Sequence, residues 1–408
     1  REPGFRSGLI RWNSGADGES PDESEGRVAS RVAPRQSNGA HVLDDAEAMM
    51  QAVELAAGVR GTTAPNPWVG CVIESVDGEI FTGATQPPGG MHAEAMALAA
   101  AGDRARGGTM WVTLEPCSHH GRTPPCADAA LAAGLRRVVV AMEDPDPRVS
   151  GAGLDRLRSA GVEVEVGLGA DEVGAQLAPY VKHRLTARPW VVLKLAASID
   201  GRTAAPDGSS QWITGGAARA DGHRLRAESD AIVVGAGTVR ADDPSLTVRH
   251  VPGTDPLRVV LGTAAPEARV QPALEFQGEI SDLLDQLGER GVIQVLVEGG
   301  ASVAGQFHRA GLVDQYVVYL APAIFGGDDA RGLMSGPAAP TIADIWRGTF
   351  TAITPMGGDL RIDLVTVESD NPRGHPGLGR AAAAADAEPD TGSVPIATVG
   401  LTIPEEES

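Results

Sequence analysis

The sequence predicts an α/β protein of two domains, because short β-branched runs alternate with helical stretches in two successive blocks. The 408 residues exceed what one hydrophobic core normally fills. A content of 42% hydrophobic and 22% charged residues is ordinary for a globular protein. We place the domains at residues 42–187 and 188–367, with a flexible leader at 1–41 and a flexible acidic tail at 368–408.

The first block opens with helical spacing over Asp45–Ala57. Strands are predicted at WVGCVI, TMWVTLE and RRVVVAM, where β-branched residues cluster. Helices are predicted between them at His92–Ala101 and Pro125–Ala133. Ligands of α/β proteins bind where strands end, so the joints between these elements are the first places to search for a site.

The second block contains apolar runs typical of buried strands: PWVVLKLA, AIVVGAG, LRVVLG, VIQVLVEGG and QYVVYLAP. Helices are predicted at Ala217–Glu228 and Ala301–Arg309. In VEGGASVAG a strand breaks at two glycines and enters a helix, which directs backbone N–H groups and the helix dipole towards an approaching phosphate. Such joints also serve packing alone, so the residues by themselves favour neither interpretation.

Charge and composition exclude several classes of protein. A net charge of −20 repels a phosphate backbone and argues against a nucleic-acid partner. No apolar stretch is long enough to cross a bilayer, and Arg1–Asn13 lacks a signal-peptide core. Three cysteines are an odd and sparse set for a disulfide framework. We therefore expect a soluble cytoplasmic protein without a membrane partner, and the sequence leaves open whether it forms a homo-oligomer.

A zinc site is the most specific chemical prediction of the first block. His92 begins the motif H-A-E at a predicted helix start, and Cys117 and Cys126 each follow a proline in TLEPCSHHGRTPPC. One imidazole and two thiolates leave a fourth tetrahedral position for water, as in catalytic zinc sites. Glu94 stands two residues beyond the histidine, where it could move protons without binding zinc.

Other residue types near this motif are less informative. Cys71 lies inside the apolar strand WVGCVI, where a thiol packs as a core residue. His119 and His120 flank the predicted metal-binding loop. Their sequence context favours equally a role in supporting the metal site or facing the substrate and simple exposure to solvent.

The first block resembles the deaminase half of the bifunctional riboflavin biosynthesis deaminase-reductase. The resemblance is carried by TAPNPWVGCVI, GGMHAEAMAL and TLEPCSHHGRTPPC, whose C-x8-C spacing differs from the C-x2-C of most cytidine deaminases. It implies a cytidine-deaminase-like three-layer domain with His92, Cys117 and Cys126 as zinc ligands. Glu94 would be the proton carrier and Asn66 a contact to the pyrimidine.

The second block resembles the reductase half of the same family, through RPWVVLKLAASIDGRTAAPDGSSQWITG, RLRAESDAIVVGAGTVRADDPSLTVR and VLVEGGASVAGQF. The resemblance implies a dihydrofolate-reductase-like domain. It implies substrate contacts at Ser210, Arg226, Leu246, Arg249 and Glu298. It implies NADPH contacts at Ala196, Trp212, Thr238, Asp242 and the run Gly300, Ala301, Ser302, Val303, Ala304, Gly305 and Gln306.

Further residues of this block stay open. Lys194 and Asp200 lie on one segment and could orient the sugar, although Asp200 could equally be a turn residue beside Gly201. Segment 262–285 is shorter than the resemblance leads us to expect, so an edge element is expected to be lost or abbreviated.

The family implies two reactions on a phosphoribosyl-aminopyrimidine: hydrolytic removal of the 2-amino group, then reduction of the ribosyl side chain to ribityl with NADPH. One alternative is a deaminase of nucleotides or tRNA with an unrelated appended domain, which the C-x8-C spacing and the second block disfavour. The other is a degenerate copy without activity, which the intact ligand set disfavours.

Overall fold

The computed structural model describes residues 43–118, 124–146 and 149–366. The predicted leader, the predicted tail, His119 and His120 lie outside these residues. The longer strands of the described chain form two sheets, one in each predicted block. The α/β class predicted from the sequence is confirmed, whereas the domain boundaries at 41, 187 and 367 stay predictions.

The first sheet has five strands in the order β2-β1-β3-β4-β5. Strand β1 is antiparallel to β2 and β3, and β3, β4 and β5 are parallel. The elements of this half are α1 (Asp45–Ala57), β1 (Gly70–Glu74), β2 (Ile80–Ala84), α2 (Ala93–Ala101), a 3-10 turn (Gly102–Ala105), β3 (Thr109–Leu114), α3 (Cys126–Ala133), β4 (Arg137–Met142), α4 (Ala152–Ser159), β5 (Glu163–Val166), α5 (Ala170–Gln176) and α6 (Ala178–Thr186).

Close packing of α1 on β1 explains why this half begins as it does. The helix buries Ala48, Met49, Ala52 and Ala56, whose spacing is that of one helical face. A Cβ on Gly70 would lie only 1.9 Å from the carbonyl oxygen of Ala52, so a residue without a side chain is required at the start of β1. Every residue of β1 and β3 is buried, which places the core of this half on both faces of these strands.

The second sheet has eight strands in the order β10-β9-β8-β11-β6-β12-β15-β14. The strands from β10 to β12 are parallel, and β15 and β14 add an antiparallel hairpin at one edge. The elements are β6 (Trp190–Ser198), β7 (Arg202–Ala204), α7 (Gly216–Ala227), β8 (Ala231–Gly235), α8 (Ala236–Asp242), β9 (Leu257–Leu261), β10 (Leu274–Phe276), α9 (Ile280–Glu289), β11 (Gln294–Val297), α10 (Ala301–Arg309), β12 (Gln315–Ala321), β13 (Arg331–Gly332), β14 (Gly348–Met356) and β15 (Asp359–Thr366).

The second sheet is covered on both faces. Val191 and Leu193 of β6 belong to one buried cluster, whereas Val192 between them belongs to another. Because successive side chains of a strand point to opposite faces, this alternation gives a three-layer arrangement with a core on each side of the sheet.

The two halves contact each other through two segments of the first half. In the loop after α1, the Nη2 atom of Arg60 donates to Oε1 of Gln294 at 2.7 Å. In α6, the Nζ atom of Lys182 donates to Oδ2 of Asp314 at 2.5 Å, and both side chains are buried to nearly nine-tenths. The Nε2 atom of His183 lies 3.2 Å from the carbonyl oxygen of Gly288. Helix α6 is therefore fastened to the second half.

The elements predicted from strong periodicity are present: Asp45–Ala57 and Ala301–Arg309 have the predicted bounds. Segment 262–285 contains only the three-residue edge strand β10 and the start of α9. None of the described helices is both long enough and apolar enough to cross a bilayer.

Candidate active sites

Three chain segments bring the predicted zinc ligands together. His92 immediately precedes α2, Cys126 is the first residue of α3, and Cys117 follows β3. One donor atom from each residue lies within 4.8 Å of the other two. The Nδ1 atom of His92 is 3.7 Å from Sγ of Cys117 and 3.4 Å from Sγ of Cys126.

These distances suit a shared tetrahedral ion. With zinc–nitrogen and zinc–sulfur distances of about 2.0 and 2.3 Å, a tetrahedral angle separates nitrogen and sulfur by roughly 3.5 Å. The observed separations of 3.7 and 3.4 Å bracket this value. The donor set of one imidazole nitrogen and two sulfurs therefore fits zinc in both chemistry and spacing, and His92 presents Nδ1 to it.

The two thiols are electrostatically unequal. Hydrogen bonding with the Cys126 thiol, opposed by burial and assisted by His92, lowers the pKa of Cys117 to about 4. The same hydrogen bond and burial raise the pKa of Cys126. The backbone N–H of Cys126 also donates to the Cys117 sulfur at 3.3 Å. A thiolate at Cys117 is thus stabilised by its surroundings, and thiolates are the form that binds zinc.

Glu94 lies in the first turn of α2, two residues after the predicted ligand His92, and is 4% exposed. Burial raises the pKa of its carboxyl to about 7. A carboxyl group with a pKa near the working pH can both accept and donate a proton.

A cavity of about 460 Å³ opens onto these residues. This volume lies within the range of about 300–1,000 Å³ typical of small-molecule pockets. Asn66, the predicted pyrimidine contact, lines it together with His92, Glu94 and Cys117. Its other lining residues are Pro67, Val69, Thr85, Leu114, Glu115, Asp144, Asp146, Val149, Tyr180 and Arg184. Cys71 is fully buried within β1, as its apolar context predicted.

Sequence reasoning missed Glu115, which organises one wall of the cavity. Its carboxylate accepts backbone N–H groups from Asp144, Gly151, Gly153 and Leu154, at 2.8 to 3.4 Å. Glu115, which immediately precedes the Pro116-Cys117 motif, thereby holds the segment that follows β4. The sequence feature that could have identified Glu115 is its position next to Pro116-Cys117.

Sequence reasoning also missed Tyr180 and Arg184 of α6, which line the same cavity. They are one helical turn apart, and the Arg184 guanidinium carbon lies 4.9 Å from the centre of the Tyr180 ring. Neither belongs to a motif, so only the folded chain shows that they reach this site.

In the second half, two glycine-containing joints lie side by side where the neighbouring parallel strands β8 and β11 end. The backbone N–H of Gly300 donates to Oγ1 of Thr238 at 3.2 Å, which links the joint before α10 to the first turn of α8. A Cβ on Gly235 would lie 2.8 Å from Cγ2 of Val303. The close approach of these joints explains the glycine at position 235, and it brings the predicted NADPH contacts Thr238 and Gly300 together.

The residues of the run predicted to hold NADPH, Gly300 to Gln306, differ in how deeply they are buried. Ser302 and Gln306 are exposed one turn apart, and the amide Nε2 of Gln306 donates to Oγ of Ser302 at 3.2 Å. The buried residues of the run face the core: Ala301, Val303, Ala304 and Gly305. Asp242, at the end of α8, is exposed. The exposed members are the ones whose side chains are accessible to a cofactor.

Arg226 and Glu298, both predicted to contact substrate, contact each other. The Nε and Nη2 atoms of Arg226 donate to the two carboxylate oxygens of Glu298 at 2.7 and 2.9 Å. Although burial alone would raise it, the pKa of Glu298 is lowered to about 2 by Arg226. A third donor of Arg226, Nη1, reaches the carbonyl oxygen of Thr247 at 3.2 Å.

The remaining predicted contacts differ in exposure. Arg249 is exposed, with Nη1 donating to Oγ1 of Thr247 at 2.7 Å. Leu246 is buried in a core cluster, and Ala196 is half-buried on β6. Ser210 is half-buried, and Trp212 is 69% exposed.

The two open residues of this half take different roles. The carboxylate of Asp200 accepts N–H groups from Phe325 and Gly326 at 2.9 to 3.3 Å, which makes it a turn-stabilising residue in the structure. Lys194 places its Nζ atom 5.7 Å from the centre of the Tyr319 ring.

Comparison with known families gives two matches. Residues 43–142 match the zinc-binding region of cytidine and deoxycytidylate deaminases, and residues 189–362 match the RibD C-terminal domain. The riboflavin biosynthesis protein RibD of Escherichia coli is 41% identical over 367 residues, covering 79% of this chain and all of that protein. RibD of Mycobacterium tuberculosis is 43% identical over 332 residues, covering 78% of this chain and 96% of that protein.

Solved structures agree with these matches. RibD of Acinetobacter baumannii superposes with a TM-score of 0.74 at 37% identity, covering 79% of this chain and 99% of that one. A diaminohydroxyphosphoribosylaminopyrimidine deaminase/5-amino-6-(5-phosphoribosylamino)uracil reductase of Thermotoga maritima superposes with a TM-score of 0.72 at 32% identity, with the same coverage. The predicted order, a deaminase-like domain followed by a reductase domain, is confirmed.

Proposed function

Because the chain belongs to the family of bifunctional riboflavin biosynthesis proteins called RibD, we infer that it is a deaminase and a reductase in one polypeptide. The deaminase removes the 2-amino group of 2,5-diamino-6-(5-phosphoribosylamino)pyrimidin-4-one as ammonia. The reductase then converts the ribosyl side chain to ribityl with NADPH. The observation that carries the first activity is the convergence of His92, Cys117 and Cys126, of which His92 and Cys117 line a cavity that Glu94 also lines.

His92, Cys117 and Cys126 would hold the zinc ion, through Nδ1 and the two Sγ atoms. The support is the donor chemistry and the 3.4 and 3.7 Å separations, which suit a tetrahedral ion. Zinc in such a site lowers the pKa of its water towards neutrality and so supplies hydroxide at physiological pH.

Glu94 would carry the protons of the deamination. Its position beside the His92 ligand and inside the cavity places a carboxylate where it can take a proton from the attacking water and deliver it to the departing amine. Asn66 lines the same cavity and has both a donor and an acceptor with which to hold the edge of the pyrimidine ring.

NADPH would bind at the joined strand ends of β8 and β11, with Thr238, Gly300 and the exposed Ser302 and Gln306 among its contacts. The substrate sugar would lie near the Arg226–Glu298 pair and the exposed Arg249, which keeps its charge available for a phosphate. The cofactor supplies the hydride. The protein aligns the nicotinamide with the sugar carbon.

We also propose that the enzyme acts in the cytoplasm, which suits its three free cysteines. The partner that the family relationship supports is a small molecule, and the sequence leaves self-association open.

Incubation of the purified full-length protein with the diaminopyrimidine tests both activities. Without NADPH, we expect ammonia and a product in which one amino group has become a carbonyl. With NADPH, the same product should gain two hydrogens. Release of ammonia from cytidine but not from the diaminopyrimidine would favour a nucleotide deaminase instead, and no reaction with either would favour a degenerate copy.

A further inference from the structure

A histidine of α7 contacts the backbone of the segment that carries Arg249. His223 is 7% exposed and lies one helical turn before Arg226. Its Nδ1 atom accepts the backbone N–H of Arg249 at 3.1 Å, and the carbonyl oxygen of Thr247 lies 3.1 Å from the same nitrogen. An imidazole that is not among the predicted site residues is thus bonded to the main chain of a predicted substrate contact.

The segment around Arg249 has a backbone conformation that requires support. Leu246 and His250 have φ angles of 54° and 69°, in the left-handed region that residues with a side chain rarely adopt. Such conformations persist where the surrounding structure holds them, and they are frequent where ligands bind. The carboxylate of Asp255 accepts the N–H of Val248 at 2.7 Å, which holds the segment from one side. The contact with α7 holds it from the other.

The same segment is tied to the Arg226–Glu298 pair. The Nη1 atom of Arg226 donates to the carbonyl oxygen of Thr247 at 3.2 Å, and Nη1 of Arg249 donates to Oγ1 of Thr247 at 2.7 Å. His223 and the two arginines therefore belong to one hydrogen-bonded unit. Because a guanidinium recognises a phosphate through directed N–H groups, a shift of the main chain at Arg249 would misalign its contact.

The neutral form of the imidazole fits this contact. A ring nitrogen that accepts an N–H carries no proton of its own, so the tautomer with its proton on Nε2 suits the bond from Arg249. Burial lowers the pKa of His223, and so do the neighbouring charges of Arg226 and Arg249. His250 acts in the same direction and Glu298 in the opposite one. Neutral His223 is therefore the dominant form at pH 7.

We propose that His223 is a positioning residue of the reductase, which holds the backbone of Arg249 so that the guanidinium meets the phosphate of the deaminated intermediate. This assignment rests on the proposed function. The imidazole acts through Arg249 and takes no part in hydride transfer. Its removal should therefore weaken the binding of the phosphorylated intermediate and leave the rate of the bound complex unchanged.

The test measures NADPH oxidation by the full-length enzyme with the deaminated intermediate and with its dephosphorylated form. In His223→Leu, we expect KM for the phosphorylated intermediate to rise about 10-fold, because the N–H of Arg249 loses its acceptor and the guanidinium its alignment. The kcat, the KM for NADPH and the KM for the dephosphorylated form should stay within about twofold. His223→Asn should restore most of the binding, since its amide has a polar atom bonded to Cγ, as Nδ1 is in histidine.

A double-mutant cycle separates positioning from general support of the fold. Arg249→Met alone should raise KM for the phosphorylated intermediate. In that background, His223→Leu should raise it by less than about twofold more, because both changes remove the same interaction. Additive effects would show that the imidazole acts independently of Arg249, and would overturn the proposal.

His308→Leu is the matched control, because it removes a half-buried histidine of the same half whose Nδ1 atom bonds to the hydroxyl of Tyr316. It should leave KM for the intermediate unchanged. An equal rise in KM for both forms of the intermediate, or no rise in His223→Leu, would also refute the assignment. Where His223→Leu fails to fold, His223→Phe, which keeps a planar ring without nitrogen, takes its place in the cycle. Reduction of the intermediate by the wild type would leave the proposed function intact in each case.

Discussion

The guanidinium of Arg226 on α7 and the carboxylate of Glu298 after β11 form two parallel hydrogen bonds of 2.7 and 2.9 Å. Both residues are close to nine-tenths buried. The pair therefore fastens a helix to a central strand end of the second sheet, in addition to any contact that it makes with substrate.

The Arg226–Glu298 pair should make stability depend on acid. The folded-state pKa of Glu298, about 2, lies below its ordinary value of 4.5, so the contribution is complete above pH 4.5 and is lost as pH falls towards 2. A shift of this size corresponds to a contribution on the order of 3 kcal/mol. The urea midpoints of wild type and Glu298→Gln should converge as pH falls from about 7 to about 3. A difference that stays constant with pH would contradict this.

Loss of one sulfur should remove the metal. We expect about one zinc per chain in the wild type and little in Cys126→Ser, because one of three protein ligands is gone. Ammonia release should disappear, while reduction of the deaminated intermediate should continue. Cys71→Ala is the matched control, since Cys71 is buried within β1 and is no part of the ligand cluster. Elemental analysis of the purified variants measures their zinc content. Full zinc occupancy in Cys126→Ser would refute the assignment of Cys126 as a ligand.

Glu94→Gln should separate metal binding from proton transfer. The amide keeps the shape of the side chain but cannot take a proton, so ammonia release should fall by about 100- to 10,000-fold. Zinc content and reductase activity should match those of the wild type. Glu54→Gln, an exposed change on α1, serves as control. Substantial ammonia release by Glu94→Gln would assign the proton transfer to another group.

Lys182→Met should destabilise the contact between the halves. Removal of the ammonium takes away the cation beside the largely buried Asp314 carboxylate, which still accepts the backbone N–H of Val191 at 2.7 Å, so we expect a cost of about 1–3 kcal/mol. The half-exposed pair of Arg188 with Asp285 offers a comparison, and Arg188→Met should cost less than about 1 kcal/mol. Thermal unfolding measures both variants. Equal unfolding midpoints for the two variants would show that the buried Lys182–Asp314 pair contributes no more to stability than the half-exposed Arg188–Asp285 pair.

Local patterns were sufficient for the elements and residues that depend on near neighbours in sequence. Helix α1 shows one apolar face, and the predicted zinc ligands, which lie close together in the structure, occupy helix starts and Pro-Cys motifs. The hairpin β14–β15 escaped prediction because nearly all of β14 is exposed, so its sequence lacks the apolar alternation of a half-buried strand.

The sequence could not reveal contacts between distant segments. Arg226 and Glu298 were each predicted to contact substrate, but their separation of 72 residues conceals that they bind one another. Tyr180 and Arg184 lie in a short helix without a motif, and only packing brings them to the first active site. Glu115 was in view beside Cys117, but its backbone partners lie up to 39 residues away.

The attachment of α6 limits how the polypeptide could be divided into separately expressed enzymes. A fragment that stopped after the first sheet, before Ala178, would lack Tyr180 and Arg184 and so one side of its own pocket. A fragment that continued to Thr186 would keep them, but Lys182 would then face solvent in place of Asp314. One side of the first pocket thus depends on a helix that the second half holds, so the covalent link between the halves preserves more than the proximity of two catalysts.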